Sequence, residues 1–193
     1  MLKRLYEWTL DKAGHRHAER WLAGLSFAES SFFPIPPDAM LLPMCLAQPA
    51  RAFRYAAICT IASILGAMLG YAIGYFLFET VGEPILRFYG LSAEFSSFAE
   101  RFNEQGWIIV LIAGFTPLPY KVITIAAGAT AMPLHILIFA SVIARSARFF
   151  LVAALLWKFG EPMKRIIDRH FGLITTAVAI AGIGGFVAVR YLF

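Results

Sequence analysis

Five ionisable residues stand inside stretches of this chain that are otherwise apolar: Glu29, Asp38, Lys121, Arg145 and Arg148. A charged side chain left alone at the centre of a bilayer costs about 2.5–3.5 kcal/mol on insertion scales. Five such residues would rival the roughly 5–15 kcal/mol that keeps a whole domain folded. They must pair with one another or face water, and an ionisable residue in that setting is a functional-site candidate.

Each type suggests a role. Arg145 and Arg148 are three apart and share a helix face. Two uses are open to them: ion pairs with Glu29 and Asp38 that brace the fold, or contacts to an anionic substrate. Asp38 directly follows Pro37. It can cap the helix that starts there, where a carboxylate suits free N–H groups and the positive dipole end, or it can be a site residue. Lys121 holds the equivalent place in a second break, where a cation opposes the dipole. It makes sense if something anionic lies beside it, whether Glu29, Asp38 or a ligand phosphate. Glu29 has no capping role and is the candidate for a carboxylate that exchanges protons.

The elements that must position these charges are two proline-rich interruptions of apolar runs. They are Pro34-Ile35-Pro36-Pro37-Asp38 and, 83 positions later, Pro117-Leu118-Pro119-Tyr120-Lys121. In a bilayer, broken helices survive only when buried in protein or lining a polar cavity. Paired interruptions in two halves of a chain point to the binding site of a transporter.

Composition places the chain in a membrane. Of 193 residues 60% are hydrophobic and 15% charged, and the mean hydropathy is +0.70, outside the range of soluble domains. The expected fold is an all-α integral membrane protein with one membrane domain over residues 1–193. An amphipathic interfacial helix is expected at 1–21, re-entrant helical hairpins at 22–48 and 107–132, and full transmembrane helices at 55–79, 133–157 and 171–193. Residues 80–106 form an outer, periplasmic loop or helix. The N-terminus has no short apolar core or small-residue cleavage site, so it does not read as a removable signal.

The two halves echo one another, since Gly82-Glu83-Pro84 with Arg87 recurs as Gly160-Glu161-Pro162 with Arg165. If each broken segment dips in and returns to the same side, the halves are inverted repeats. The cytoplasmic side then carries eleven Lys/Arg against three outside, but the same count follows if both segments span. Residues 79–106 hold five glutamates against two arginines, which favours the outside for that loop. Gly66, Gly70 and Gly74 form a ridge that lets helices pack closely. Cys45 and Cys59 read as buried free thiols, and His15, His17, His135 and His170 lack metal-ligand spacing. Trp107 and Trp157 read as interfacial anchors.

Several pieces, in order, carry a resemblance. They are Phe27-Ala28-Glu29 before the first break, Gly114-Phe115-Thr116-Pro117-Leu118-Pro119-Tyr120-Lys121, Ala126-Ala127-Gly128, and Ala144-Arg145-Ser146-Ala147-Arg148. Together they resemble the DedA family, also called the VTT or SNARE-associated-Golgi-like family, in its YqaA-like branch. The resemblance covers roughly residues 20–160. It implies two opposed re-entrant hairpins and transport of a membrane lipid. For bacterial members the implied cargo is undecaprenyl phosphate or phospholipid, moved across the inner membrane with dependence on the proton gradient. It further implies acidic residues in the first hairpin, matching Glu29 and Asp38, and basic ones later, matching Lys121, Arg145 and Arg148. This chain departs from many relatives by having Gly114 and Lys121 where they carry arginines. A lysine is a point charge without the two-pronged geometry of a guanidinium.

The resulting expectation is a multi-pass lipid flippase or transporter of the bacterial inner membrane. Lys121, Arg145 and Arg148 bind the headgroup, and Glu29 and Asp38 couple to protons. The expected partners are a membrane lipid and protons, with no nucleic acid, cofactor or metal, and with self-association left open. A polyprenyl diphosphate phosphatase-like enzyme is the first alternative, with Ser30 and Ser31 as nucleophile candidates that have no histidine beside them. A small-ion transporter using the same charges is the second.

Overall fold

The computed structural model describes residues 17–33, 35–116, 119–160 and 162. Most of the expected interfacial helix and the whole span expected at 171–193 lie outside them. The described residues are helical, with no strand among them. In chain order the helices are α1 (Ala18–Ser31), α2 (Asp38–Ala47), α3 (Ala52–Leu77), α4 (Glu83–Tyr89), α5 (Ser92–Glu104), α6 (Gly106–Phe115), α7 (Tyr120–Ala129) and α8 (Leu134–Gly160).

Both proline clusters end helices. The α1 ladder closes with the N–H groups of Phe32 and Phe33 returning to the Ala28 carbonyl, at 2.9 and 2.7 Å. Pro36 and Pro37 beyond it have no N–H to extend the ladder, and α2 begins at Asp38. The second cluster divides α6 from α7 in the same way. At 14, 10, 10 and 10 residues, α1, α2, α6 and α7 run about 15–21 Å each, short of a hydrocarbon core of about 30 Å. Helix α1 starts at Ala18, inside the segment expected to lie on the surface. Its early charge is accommodated because Glu19 accepts from Arg54 at 2.7 Å.

Among the described residues, α3 and α8 belong to the two stretches long and apolar enough to cross a membrane, Pro49–Tyr89 and Leu134–Gly160. The first continues past α3 through a π-helical segment, Phe78–Gly82, into α4. Pro84 does not stop it, because a proline is tolerated in the first turn of a helical segment. The chain then turns at Gly90, whose φ of 70° lies in the left-handed region.

Polar groups are buried within an apolar core while large apolar side chains line the outside of the long helices. Ser26, Ser30, Ser63, Thr124, Ser141 and Arg145 are buried, while Ile61, Leu65 and Phe76 on α3 and Phe139, Phe150 and Leu151 on α8 are exposed. Such an arrangement satisfies polar groups inside and presents hydrocarbon to lipid. Helix α3 is the spine, and both α1 and α7 pack on it. The buried free thiols Cys45 and Cys59 lie in the apolar cluster shared by α1, α2, α3 and α8.

Glycines set the distance of approach. A Cβ at Gly66 would lie 2.2 Å from the Phe27 carbonyl oxygen of α1. One at Gly74 would lie 2.0 Å from the Ile125 carbonyl oxygen of α7, and one at Gly128 would lie 2.0 Å from that of Tyr71. The ridge expected from spacing therefore seats a half-helix at each end. Gly66→Ala should gain up to about 1 kcal/mol of helix propensity. It should lose more, since a rigid carbonyl must move, for a net destabilisation of about 1–3 kcal/mol in detergent. An unchanged or raised thermal midpoint would contradict the close contact.

Candidate functional site

Four of the five charges, Glu29, Asp38, Arg145 and Arg148, pair where α1 and α2 meet α8. Arg145 and Arg148 lie near the middle of α8, one turn apart. Arg145 points inward with only 2% of its side chain exposed. Its Nη2 donates to Glu29 Oε2 at 2.6 Å and, more weakly, to Ser30 Oγ at 3.4 Å. Its Nε–H donates to Ser63 Oγ at 2.6 Å. Ser30 and Ser63 are in turn joined, Oγ to Oγ, at 2.7 Å. The guanidinium lies between two rings, 4.8 Å from the centroid of Tyr120 and 4.7 Å from that of Phe149. A weakly hydrated planar cation suits that sandwich.

Ser30 ties the halves of the chain together. Its hydroxyl meets α3 and α8, and its carbonyl accepts from Thr124 Oγ1 of α7 at 3.0 Å. The Tyr120 ring is held from behind, with its hydroxyl 2.5 Å from Ser141 Oγ. Ser141 already donates to the Leu137 carbonyl, so the phenol is the donor in that contact.

Arg148 makes the second bridge. Its Nη2 pairs with Asp38 Oδ2, and its Nη1 donates to the Thr116 carbonyl at 2.6 Å. Asp38 opens α2, and the one hydrogen bond of its carboxylate among the described residues is to Arg148 rather than to the helix end. This pair is more open than the first, with the arginine 18% and the aspartate 21% exposed. Asp38 Oδ1 is nevertheless buried and has no hydrogen-bond partner among the described residues.

The structure thus pairs Glu29 with Arg145 and Asp38 with Arg148. Lys121, the second residue of α7, is half-buried and makes no side-chain hydrogen bond or ion pair among the described residues. Sequence reasoning did not assign Ser63, Tyr120, Phe149 or the Thr116 carbonyl to the site. Ser63 carried a usable signal, lying on the same stripe of small residues as Gly66, Gly70 and Gly74. Nothing in the sequence marks a backbone carbonyl or a pair of aromatic rings as partners of a particular arginine.

Removing one member of a buried pair strands the other. Arg145→Ala should cost about 3–5 kcal/mol, and adding Glu29→Gln should recover part of that loss. Adding Asp38→Asn instead should recover little, since Asp38 answers to Arg148. Thermal unfolding of these single and double variants measures both couplings. Equal recovery by the two partners would contradict the assignment.

Residues 50–158 match the family model described as the VTT domain. An uncharacterized protein of Haemophilus influenzae is 36% identical over 179 residues, covering 93% of each chain. An uncharacterized protein of Histophilus somni is 34% identical over the same length and shares. No solved structure matches the chain. The matched domain takes in α3, α8 and the second proline break, and the relatives extend the likeness across α1 and α2 as well. By these likenesses the chain belongs to the VTT-domain, or DedA, family of transporter-like membrane proteins.

Proposed function

We propose that this protein is a flippase or transporter of the bacterial inner membrane that moves an anionic lipid, with proton coupling through Glu29 and Asp38. The observation that carries this reading is the pair of arginine–carboxylate bridges that join the two half-helices of the first broken segment to α8. On this reading residues 22–48 and 107–132 are re-entrant hairpins of opposite sense, enclosing a polar cavity. Lys121 meets the headgroup first, at the start of α7, where free N–H groups and the helix dipole also favour an anion. Arg145 and Arg148 add positive field. The carboxylates neutralise that field in the resting state and yield to the headgroup or to protons during the cycle. Undecaprenyl phosphate and anionic phospholipid are the cargoes that suit this chemistry.

The phosphatase alternative needs an exposed, activated nucleophile. Ser30 is fully buried against Ser63, and the Ser31 hydroxyl is turned to the Phe27 carbonyl at 2.6 Å, so neither favours it.

Lys121→Gln should change the stability by no more than about 0.5 kcal/mol, read from the thermal midpoint, because the side chain makes no hydrogen bond or ion pair among the described residues. It should weaken binding of anionic lipid about tenfold, the difference between a charge-assisted and a neutral hydrogen bond. Lys121→Arg should retain binding. Native mass spectrometry of lipid adducts and a reconstituted flipping assay read these outcomes. Parent-like binding and flipping in Lys121→Gln would overturn the headgroup role.

A further inference from the structure

The two arginine–carboxylate bridges are similar in sequence and different in construction. Arg145 is enclosed by Glu29, Ser63 and two aromatic faces, and Tyr120 is itself fully buried and anchored by Ser141. Freeing Arg145 would break these contacts together and pull the cation from between the rings. Arg148 is held at its tip alone, by one carboxylate oxygen and one carbonyl, and both members of its ion pair are partly exposed.

Its two partners lie one at each proline break. Asp38 is the first residue of α2, and Thr116 is the residue directly after α6. One guanidinium therefore fastens the start of the second half-helix in one broken segment to the end of the first half-helix in the other. Asp38 is also the less satisfied carboxylate, since its Oδ1 is buried with no donor among the described residues. An ionised oxygen without a donor is costly to bury. A proton placed on Oδ1 removes that cost and leaves Arg148 facing a neutral group. The ionisable groups nearest Asp38 on the elements packed around it are Arg148 on α8 and Cys59 on α3, with the Arg145–Glu29 pair one turn of α8 away. Of these, Arg148 alone bonds to it.

We infer that Arg148 is a releasable clamp joining the two breaks, opened by neutralising Asp38, while the Arg145–Glu29 bridge stays closed and braces the helices during that step. The inference rests on the transport reading for its purpose, as the regulation of that same site, but not for its test. Release frees α2 and the end of α6 in one event and uncovers Arg148 to an anionic headgroup. The brace meanwhile keeps α1, α3 and α8 in register.

The test is cysteine accessibility, with no lipid assay involved. Single cysteines at Ala39 and at Thr116 are placed in a chain whose Cys45 and Cys59 are replaced by alanine. Thr116→Cys retains the backbone carbonyl that Arg148 uses. Rates of reaction with a charged, water-soluble thiosulfonate are divided by the rate at exposed Ser97→Cys, which corrects for thiolate fraction. Asp38→Asn and Arg148→Gln should each raise the rate about tenfold at both positions, and the double variant should go no further. Glu29→Gln, which leaves Arg145 between its rings and on Ser63, should raise neither. Should a clamp variant fail to fold, the parent supplies the same test. Acidification should raise the corrected rates at both positions together, and Glu29→Gln should not abolish that rise. Opening at one break only, equal opening by Glu29→Gln, or no opening in any variant or at any pH would overturn the clamp. Failure of Lys121→Gln to alter lipid binding would leave these rates unaffected and would count against the headgroup role alone.

Discussion

An arginine side chain keeps its charge at any pH a cell meets, so two of them inside helices that turn hydrocarbon outward constrain everything around them. Neither can be neutralised, and the middle of α8 is too far from either end for an easy reach to water. Each must be met by a carboxylate carried on another element, and those elements must then be held where the carboxylates reach. Glu29 on α1 and Asp38 on α2 fill that role. The short, broken helices are kept against the long ones largely by this requirement, because apolar surfaces gain little from one another when lipid is the alternative.

Close approach is the second part of the same arrangement. For Glu29 to meet Arg145 while Ser30 meets Ser63, α1 must lie almost in contact with the α3 backbone, and Gly66 allows it. Gly74 and Gly128 do the same for α7, which brings Tyr120 over the guanidinium and Thr124 to the Ser30 carbonyl. The glycine ridge and the charged centre are thus linked, since shifting either half-helix outward would lengthen a bond made by a buried polar group. Arg148, bonded only at its tip, is where the same framework leaves room for change.

Much of this was legible in the sequence. A charge in an apolar run must find a partner, so Glu29, Asp38, Arg145 and Arg148 announced an ion-paired centre before any coordinates, and proline chemistry placed both helix breaks. Which carboxylate meets which arginine was not legible. Glu29 and Asp38 are separated from the arginines by more than a hundred residues, and the pairing depends on how α1 and α2 lie against α8. The capping role open to Asp38 gave way to Arg148, because a buried cation nearby makes a larger demand on a carboxylate than a helix end does. The start of α1 at Ala18 was hidden by Glu19 and Arg20, which read as surface charge until Arg54 supplies a partner for Glu19. The end of the span expected at residue 79 was overridden by a π-helical segment, Phe78–Gly82, which no simple periodicity reveals.

The central claim is that Arg145 is a buried cation paired with Glu29 and bonded to Ser63, and its own Nε–H reports on it most directly. In protein labelled with 15N-arginine, the Arg145 Nε–H signal can be assigned by its loss in Arg145→Lys, and its exchange with solvent measured against exposed Arg87. With that proton donated to Ser63 at 2.6 Å and the side chain 2% exposed, exchange should be slower than at Arg87 by about a hundredfold or more. Exchange as fast as that of Arg87 would mean that water reaches the guanidinium, and the account of a sealed, charge-paired centre would be wrong.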